Sequence, residues 1–264
     1  MPDLTNVDLS GARLDHVDLH DADLRMVDFT NARVRDCDFH GVVMRGVELV
    51  DVDIDGDIRR LVVNGVDVVP LVEAALDARH PDRATMRADD PAGFREAWAV
   101  LERLWTGTVD RARRLEPALL HESVDDEWSF IETLRHLTFA SDSWVRRAIL
   151  GDPAPWHPLA LPWDTMPDIP GVPRDREVHP SLDEVLAVRL DRMSMVRSFI
   201  DDLTDDTLAA DTTAVEGPGW PESRSYPVKR CLRIVLNEEW EHRLFAERDL
   251  DALERRRTEV VEPE

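Results

Sequence analysis

Near the end of the chain the run Asn237-Glu238-Glu239-Trp240-Glu241-His242 sets a carboxylate and an imidazole four residues apart. On a helix turning about 100° per residue, that spacing brings both side chains over one point. The apolar side of this helix carries Val228, Cys231, Leu232, Val235, Ala246, Leu250 and Leu253. Glu238 and His242 fall on the same side, Glu239 sits at its other shoulder, and Asn237 and Glu241 point away. A carboxylate among apolar neighbours is costly unless something pairs with it. A buried ion pair or hydrogen-bonded cluster meets that need, and so does a metal ion taking both side chains as ligands. A second imidazole, His136, stands in the run Glu127-Trp128-Ser129-Phe130-Ile131-Glu132-Thr133-Leu134-Arg135-His136-Leu137. It lies on the shoulder of its helix's apolar face, where a hydrogen-bonded structural role and a ligand role are both open.

The elements that must position these residues are helices. Asp90 followed by Pro91 is a helix start, and Phe94, Trp98, Leu101, Trp105, Thr108, Ala112 and Leu115 then recur at alternating steps of four and three. Ser129 with Glu132 reads as a capping box opening a second helix toward Leu150, and Ser181 with Glu184 opens a third toward Leu203. A fourth runs from Pro227 toward Arg257. Four amphipathic helices predict an up-and-down four-helix bundle over 90–264, with a site between facing helices. Two long loops connect them. Residues 151–180 hold eight of the 17 prolines together with Trp156, His157 and Trp163, and 204–226 contain Gly217-Pro218-Gly219-Trp220-Pro221. Loops of this length have a task or are disordered, and the tryptophans favour packing over disorder, with a pocket-covering role open to them.

The first sixty residues follow a different rule. Leu4, Leu9, Leu14, Leu19, Leu24, Phe29, Val34, Phe39, Met44, Leu49 and Ile54 are five apart. Two places before each, from the second onward, stand small or β-branched residues from Val7 to Val52, Cys37 among them. Neither a helix nor a simple strand keeps a period of five on one side, so the chain must turn a corner at every fifth residue. Residues 61–89 read as a cap and linker: a hairpin around Asn64-Gly65, then a short helix from Pro70 to Arg79.

Segments such as Ala12-Arg13-Leu14 and Ala22-Asp23-Leu24 resemble the pentapeptide-repeat family over residues 2–58. The resemblance implies a domain over 1–60 folded as a right-handed quadrilateral β-helix, with about four pentapeptides to a coil. The large residues would fill the interior, and Cys37 would occupy a small inward slot as core filler. The fold class expected for the whole chain is therefore α+β by domain, a β-helix followed by a four-helix bundle. Some pentapeptide-repeat proteins bind DNA gyrase as acidic DNA mimics, and the Asp residues at outward places suit that role or a homodimer contact.

A second resemblance covers 90–255. Glu127-Trp128-Ser129 with Leu134-Arg135-His136-Leu137, and Asn237-Glu238-Glu239-Trp240-Glu241-His242, look like the DinB/YfiT-like superfamily. Its bundles hold a metal with one His from the second helix and two side chains four apart on the last. Many members have His at both of those places. Glu238 departs from them and resembles the mycothiol-dependent maleylpyruvate isomerases, whose His-Glu-His set binds zinc. Carried over, the metal ligands are His136, Glu238 and His242. That family's second domain, with its functional arginine, has no counterpart here. The implied cofactors are a divalent metal, with zinc leading and nickel or iron compatible, and a low-molecular-weight thiol. The implied activity is a metal-dependent thiol S-transferase or hydrolase acting on a small-molecule substrate.

Composition sets the limits. The 264 residues carry 55 acids against 32 bases, a formal charge of -23, which argues against nucleic acid or an anionic membrane as a direct partner. No apolar run approaches the roughly 20 residues of a membrane span. With Cys37 and Cys231 the only cysteines and no charged-then-apolar leader, the expectation is a cytoplasmic protein. No glycine-rich phosphate loop, paired CxxC or nucleophile elbow stands in the chain.

Overall fold

The structure is a computed structural model and describes residues 4–35 and 37–261. The chain divides into two compact units, 1–56 and 57–264.

The first unit keeps the period of five as a backbone rhythm. Asn6, Gly11, His16, Asp21, Met26, Asn31, Gly41, Gly46, Asp51 and Gly56 all have positive φ, one at each described fifth position. Three of the corners close as turns in which the amide of Ala12, Ala22 or Ala32 donates to the carbonyl three residues back. The Asp8, Asp18 and Asp28 carboxylates accept from the amides two residues on.

The expected interior is not formed. Among the described residues this unit has no strand, and its large positions are exposed, from 49% at Leu9 to 70% at Leu4. Cys37, expected in an inward slot, is exposed as well. A coil buries its large side chains only against coils above and below it, and fewer than three coils leave most positions terminal. The corners are thus local and present, whereas the enclosure, which needs neighbours, is not.

The second unit is helical. It opens with a hairpin, β1 (Val62–Val63) against β2 (Val66–Asp67), closed by Asn64 and Gly65 with φ of 49° and 85°. Both angles are those of the tight hairpin turn that Asn-Gly favours. Helix α1 (Val69–Arg79) follows, then a 3₁₀ segment Pro81–Arg87. Four longer helices come next, with the short α5 (Asp205–Ala209) before the last: α2 (Pro91–Ala112), α3 (Phe130–Ser141), α4 (Leu182–Asp201) and α6 (Val228–Val261).

The capping residues act as read. The Asp90 side chain accepts from the Gly93 amide, and both capping boxes, Ser129 with Glu132 and Ser181 with Glu184, are complete. Helix α3 does not run on to Leu150 in α geometry. It widens at Asp142–Arg147 into a π-helical turn.

Packing order departs from a simple up-and-down bundle, in which helices consecutive in sequence lie side by side. Helix α2 packs on α4 and α6, and α3 packs on α4 and α6, so α2 and α3 form one diagonal and α4 and α6 the other. The connections 113–129 and 202–227 are long enough to cross an end of the bundle. The core enclosed by the ring includes Phe94, Trp98, Leu101, Leu134, Val196 and Leu250. No helix among the described residues is long and apolar enough to cross a membrane.

One buried arginine organises each long loop. Arg135, 1% exposed, donates to the carbonyls of Leu159, Asp175 and Val178 in the proline-rich loop. Arg147, also 1% exposed, donates to Pro153 in that loop and to Val215, Gly217 and Pro221 in the second. Backbone carbonyls absorb the buried charge, and the loop gains a fixed path. Trp156, Trp163 and Trp220 pack around Phe139, Ala160 and Met166 as a satellite core.

Candidate metal centre

Helix α3 supplies His136 and α6 supplies Glu238 and His242. One ligand atom from each lies within 4.8 Å of the other two. The carboxylate Oε2 of Glu238 is 3.3 Å from His136 Nε2 and 3.4 Å from His242 Nδ1, and the two imidazoles stack with centroids 4.8 Å apart.

Each ring is oriented by a carbonyl. His136 Nδ1 lies 3.0 Å from Leu161 O, a carbonyl that can only accept, so Nδ1 is the donor there and Nε2 is the nitrogen that faces Glu238. His242 Nδ1 lies 2.9 Å from the Glu238 carbonyl one turn back, so its Nε2 carries the lone pair. Leu161 belongs to the loop that Arg135 holds, so the residue preceding a candidate ligand fixes the segment that orients it.

Aromatic rings wall the group. Trp128 lies 4.5 Å from the His136 ring and stacks on His242 at 5.9 Å, 21° from parallel. Its Nε1 donates to Asp164, 2.9 Å away in the proline-rich loop, and the Arg176 guanidinium lies over its face at 6.0 Å. Phe139 and Phe245 approach the two imidazoles at 6.1 Å and 6.0 Å.

These surroundings set the charge states. Burial pushes the His242 imidazole down to about 4, aided by the neighbouring His136 and opposed by Glu238. Burial also works against ionisation of Glu238, but the His136 contact and the His242 charge outweigh it and hold the carboxyl below its usual range. A carboxylate and an imidazole kept neutral far into acid form a donor set ready for a cation. Two nitrogens and one oxygen suit a borderline ion such as zinc, iron or nickel.

The family model for the DinB superfamily matches residues 100–246, more than half of the chain. The chain belongs to the DinB superfamily. Eight copies of the pentapeptide-repeat model match within 3–41 and 22–56. No curated protein and no solved structure matches the chain.

Within this DinB domain the helical wheel placed the candidates imperfectly. Residues Val228, Cys231, Leu232, Val235, Ala246, Leu250 and Leu253 are buried as expected, but the buried face also takes in Leu236, Glu239 and Trp240. Its centre is therefore rotated toward Glu239. Glu238 and His242 come to the rim, with side chains 28% and 19% exposed, while His136, expected at a shoulder, is 6% exposed.

The full burial of Glu239 needs a partner, and Arg189 of α4 provides it in a salt bridge whose two side chains are 2% and 1% exposed. Burial pushes the Glu239 carboxyl up against the pull of Arg189. Sequence reading missed this pair, although a signal existed: Arg189 occupies an apolar-stripe position among Val185, Leu186, Met193, Val196 and Ile200. Trp128 and the Leu161 carbonyl were also missed as parts of the centre.

Proposed function

We propose that this DinB domain is a metal-dependent enzyme of the thiol S-transferase type, with His136, Glu238 and His242 holding a divalent ion, zinc before nickel or iron. The carrying observation is the convergence of three donor atoms within 4.8 Å, with one ring nitrogen of each imidazole engaged by a carbonyl. Two imidazoles and one carboxylate leave room for a reactant, as catalytic sites do and structural ones do not. A bound divalent ion supplies Lewis acidity, which favours the thiolate of a small thiol, or deprotonated water, near neutral pH.

The chain's own residues do the rest. Leu161 and the Glu238 carbonyl keep both rings in the ligating tautomer, Trp128 excludes water from one side, and Arg135 keeps the loop in place. The His-Glu-His set resembles that of the mycothiol-dependent maleylpyruvate isomerases, which favours a mycothiol-like thiol over water.

Metal analysis of protein purified without a histidine tag tests this reading. About one divalent ion per chain is expected, falling to background in His136→Ala and His242→Ala. A well-folded chain that stays metal-free after expression in zinc-supplied medium overturns it. Turnover that requires added thiol separates the transferase from a hydrolase.

The pentapeptide repeats support a second reading, an interaction module of the DNA-mimic or gyrase-binding type carrying a structural metal site. Exposed large residues at every fifth place, flanked by aspartates, favour it. Inhibition of gyrase supercoiling by micromolar full-length protein is its test.

A further inference from the structure

The face of α6 that carries Glu238 continues toward the start of the helix as the wall of an open groove of about 1020 Å³. Arg230, Arg233, Ile234, Asn237 and Glu238 line it at steps of three and four, and Lys229 and Arg87 line it as well. In a chain of formal charge -23, this groove gathers cations. Asp57 and Arg59 also line it, but they pair with each other at 3.0 Å and cancel. Arg87 is matched by Asp77 and Glu73.

The remaining cations are not matched one for one. A single carboxylate, Asp89, accepts from both Lys229 and Arg233 at 2.9 Å through the same oxygen. Among the described residues Arg230 has no ion-pair partner, and it is exposed. Glu238 is the one member of the His136, Glu238 and His242 group that lines the groove. From residue 230 to residue 238 the helix rises about 12 Å. An extended small molecule can therefore touch the arginines with one end and reach the centre with the other.

We propose that this groove binds the substrate or thiol of the centre and that the molecule is an organic anion. Its carboxylate or phosphate is taken by Arg230 and Arg233, and its reactive end lies at Glu238. The inference rests on the reading of His136, Glu238 and His242 as metal ligands. Arginine suits the task because its planar fork matches either oxyanion. A second positive group one turn away raises the local anion concentration further.

Two thiols of equal length that differ only in the far end, 6-mercaptohexanoate and 6-mercaptohexanol, test it by calorimetry on the zinc-loaded full-length chain. The carboxylate form is expected to bind about tenfold tighter at low salt, with the gap closing at about 0.5 M sodium chloride. In Arg230→Ala/Arg233→Ala the gap closes at low salt too, while zinc content and mercaptohexanol affinity stay unchanged. The single variant Arg230→Glu, at an exposed position, is expected to invert the preference. On metal-free protein, adipate is expected to bind the wild type and not the double variant. Equal binding of both thiols by zinc-loaded wild type overturns the anion groove and leaves the metal reading standing. A folded chain that takes up no zinc overturns the metal reading and this inference with it.

Discussion

The two units use apolar residues in opposite ways. In 4–56 a strict period of five places large side chains along the chain and leaves each of them exposed by 49% or more. In 57–264 a looser period of three and four leads to the buried core of Phe94, Trp98, Leu101 and their neighbours. A helix presents its stripe as soon as a few turns form, so one partner helix is enough to bury it. A pentapeptide coil presents its large residue to an interior that exists only when other coils close it. Regular sequence is therefore not the same as an enclosed core.

The cysteines, one in each unit, give the widest contrast. Cys37 is exposed, whereas Cys231 is 0% exposed and burial pushes its thiol up to about 11. A disulfide reagent should modify Cys37 at the rate of a free thiol. Cys231 should react only on unfolding, slower by about a thousandfold or more. Two protected thiols in the native chain would show that the repeat unit closes an interior around Cys37, which would break the contrast.

Paired leucine truncations sharpen it. Leu101→Ala removes a side chain with no exposed surface and should cost about 2–5 kcal/mol in urea unfolding. Leu24→Ala, at a position 57% exposed, should stay within about 0.5 kcal/mol. Comparable losses at both sites would mean that the repeat packs as tightly as the bundle.

What the sequence made legible follows from the range of the interactions. Asp90, Ser129 and Ser181 act within a turn of themselves, and all three caps are as read. Asn64-Gly65 closes its hairpin for the same reason. His136, Glu238 and His242 meet because the spacing of four, a local rule, coincides with a family resemblance that supplies the partner helix.

What stayed hidden depends on pairings across the fold. A wheel treats charge as surface, so it could not place Glu239 at the centre of the buried face before Arg189, 50 residues away, was known to meet it there. Arg135 and Arg147 bind carbonyls, which carry no sequence signature. The diagonal order of the bundle depends on how the two long connections travel, and helix periodicity says nothing of that.

Acid should act on the helical unit selectively. His80, His121, His157 and His242 all lie in it, and burial lowers the pKa of each. Such a histidine is neutral in both folded and unfolded chains at high pH. Below the unfolded value near 6.5 the unfolded chain takes up the proton first. Stability is therefore fully present above about pH 6.5 and is lost as pH falls toward the folded value, about 4 for His242. The depressed Glu238 carboxyl contributes with the same sign, its share being lost at the lower end of that range. For metal-free protein the urea midpoint should fall steadily from pH 7 to pH 4.5, with His242 alone responsible for up to about 3 kcal/mol. Zinc should oppose the loss, and His242→Asn should flatten the profile. A midpoint independent of pH would mean that these imidazoles are solvated.

Glycine substitutions give the smallest effect and read the two backbones directly. A Cβ on Gly219 would lie 2.5 Å from Trp156 Cη2 and 2.6 Å from Arg147 Cζ. Arg147 cannot yield easily, because its guanidinium is held by carbonyls of both long loops. Gly219→Ala should therefore cost about 1–3 kcal/mol through overpacking and should loosen the satellite core around Trp163 and Trp220. In the repeat unit Gly46 has φ of +66° and nothing within 4 Å of its would-be Cβ, so Gly46→Ala meets only the left-handed backbone. That costs about 1 kcal/mol, and Met26 and Asp51 already accept it at equivalent corners. Thermal unfolding of both variants decides the matter. If Gly46→Ala proves the more damaging of the two, neighbouring coils must crowd that corner, and the repeat would have the enclosed interior that its exposed leucines argue against.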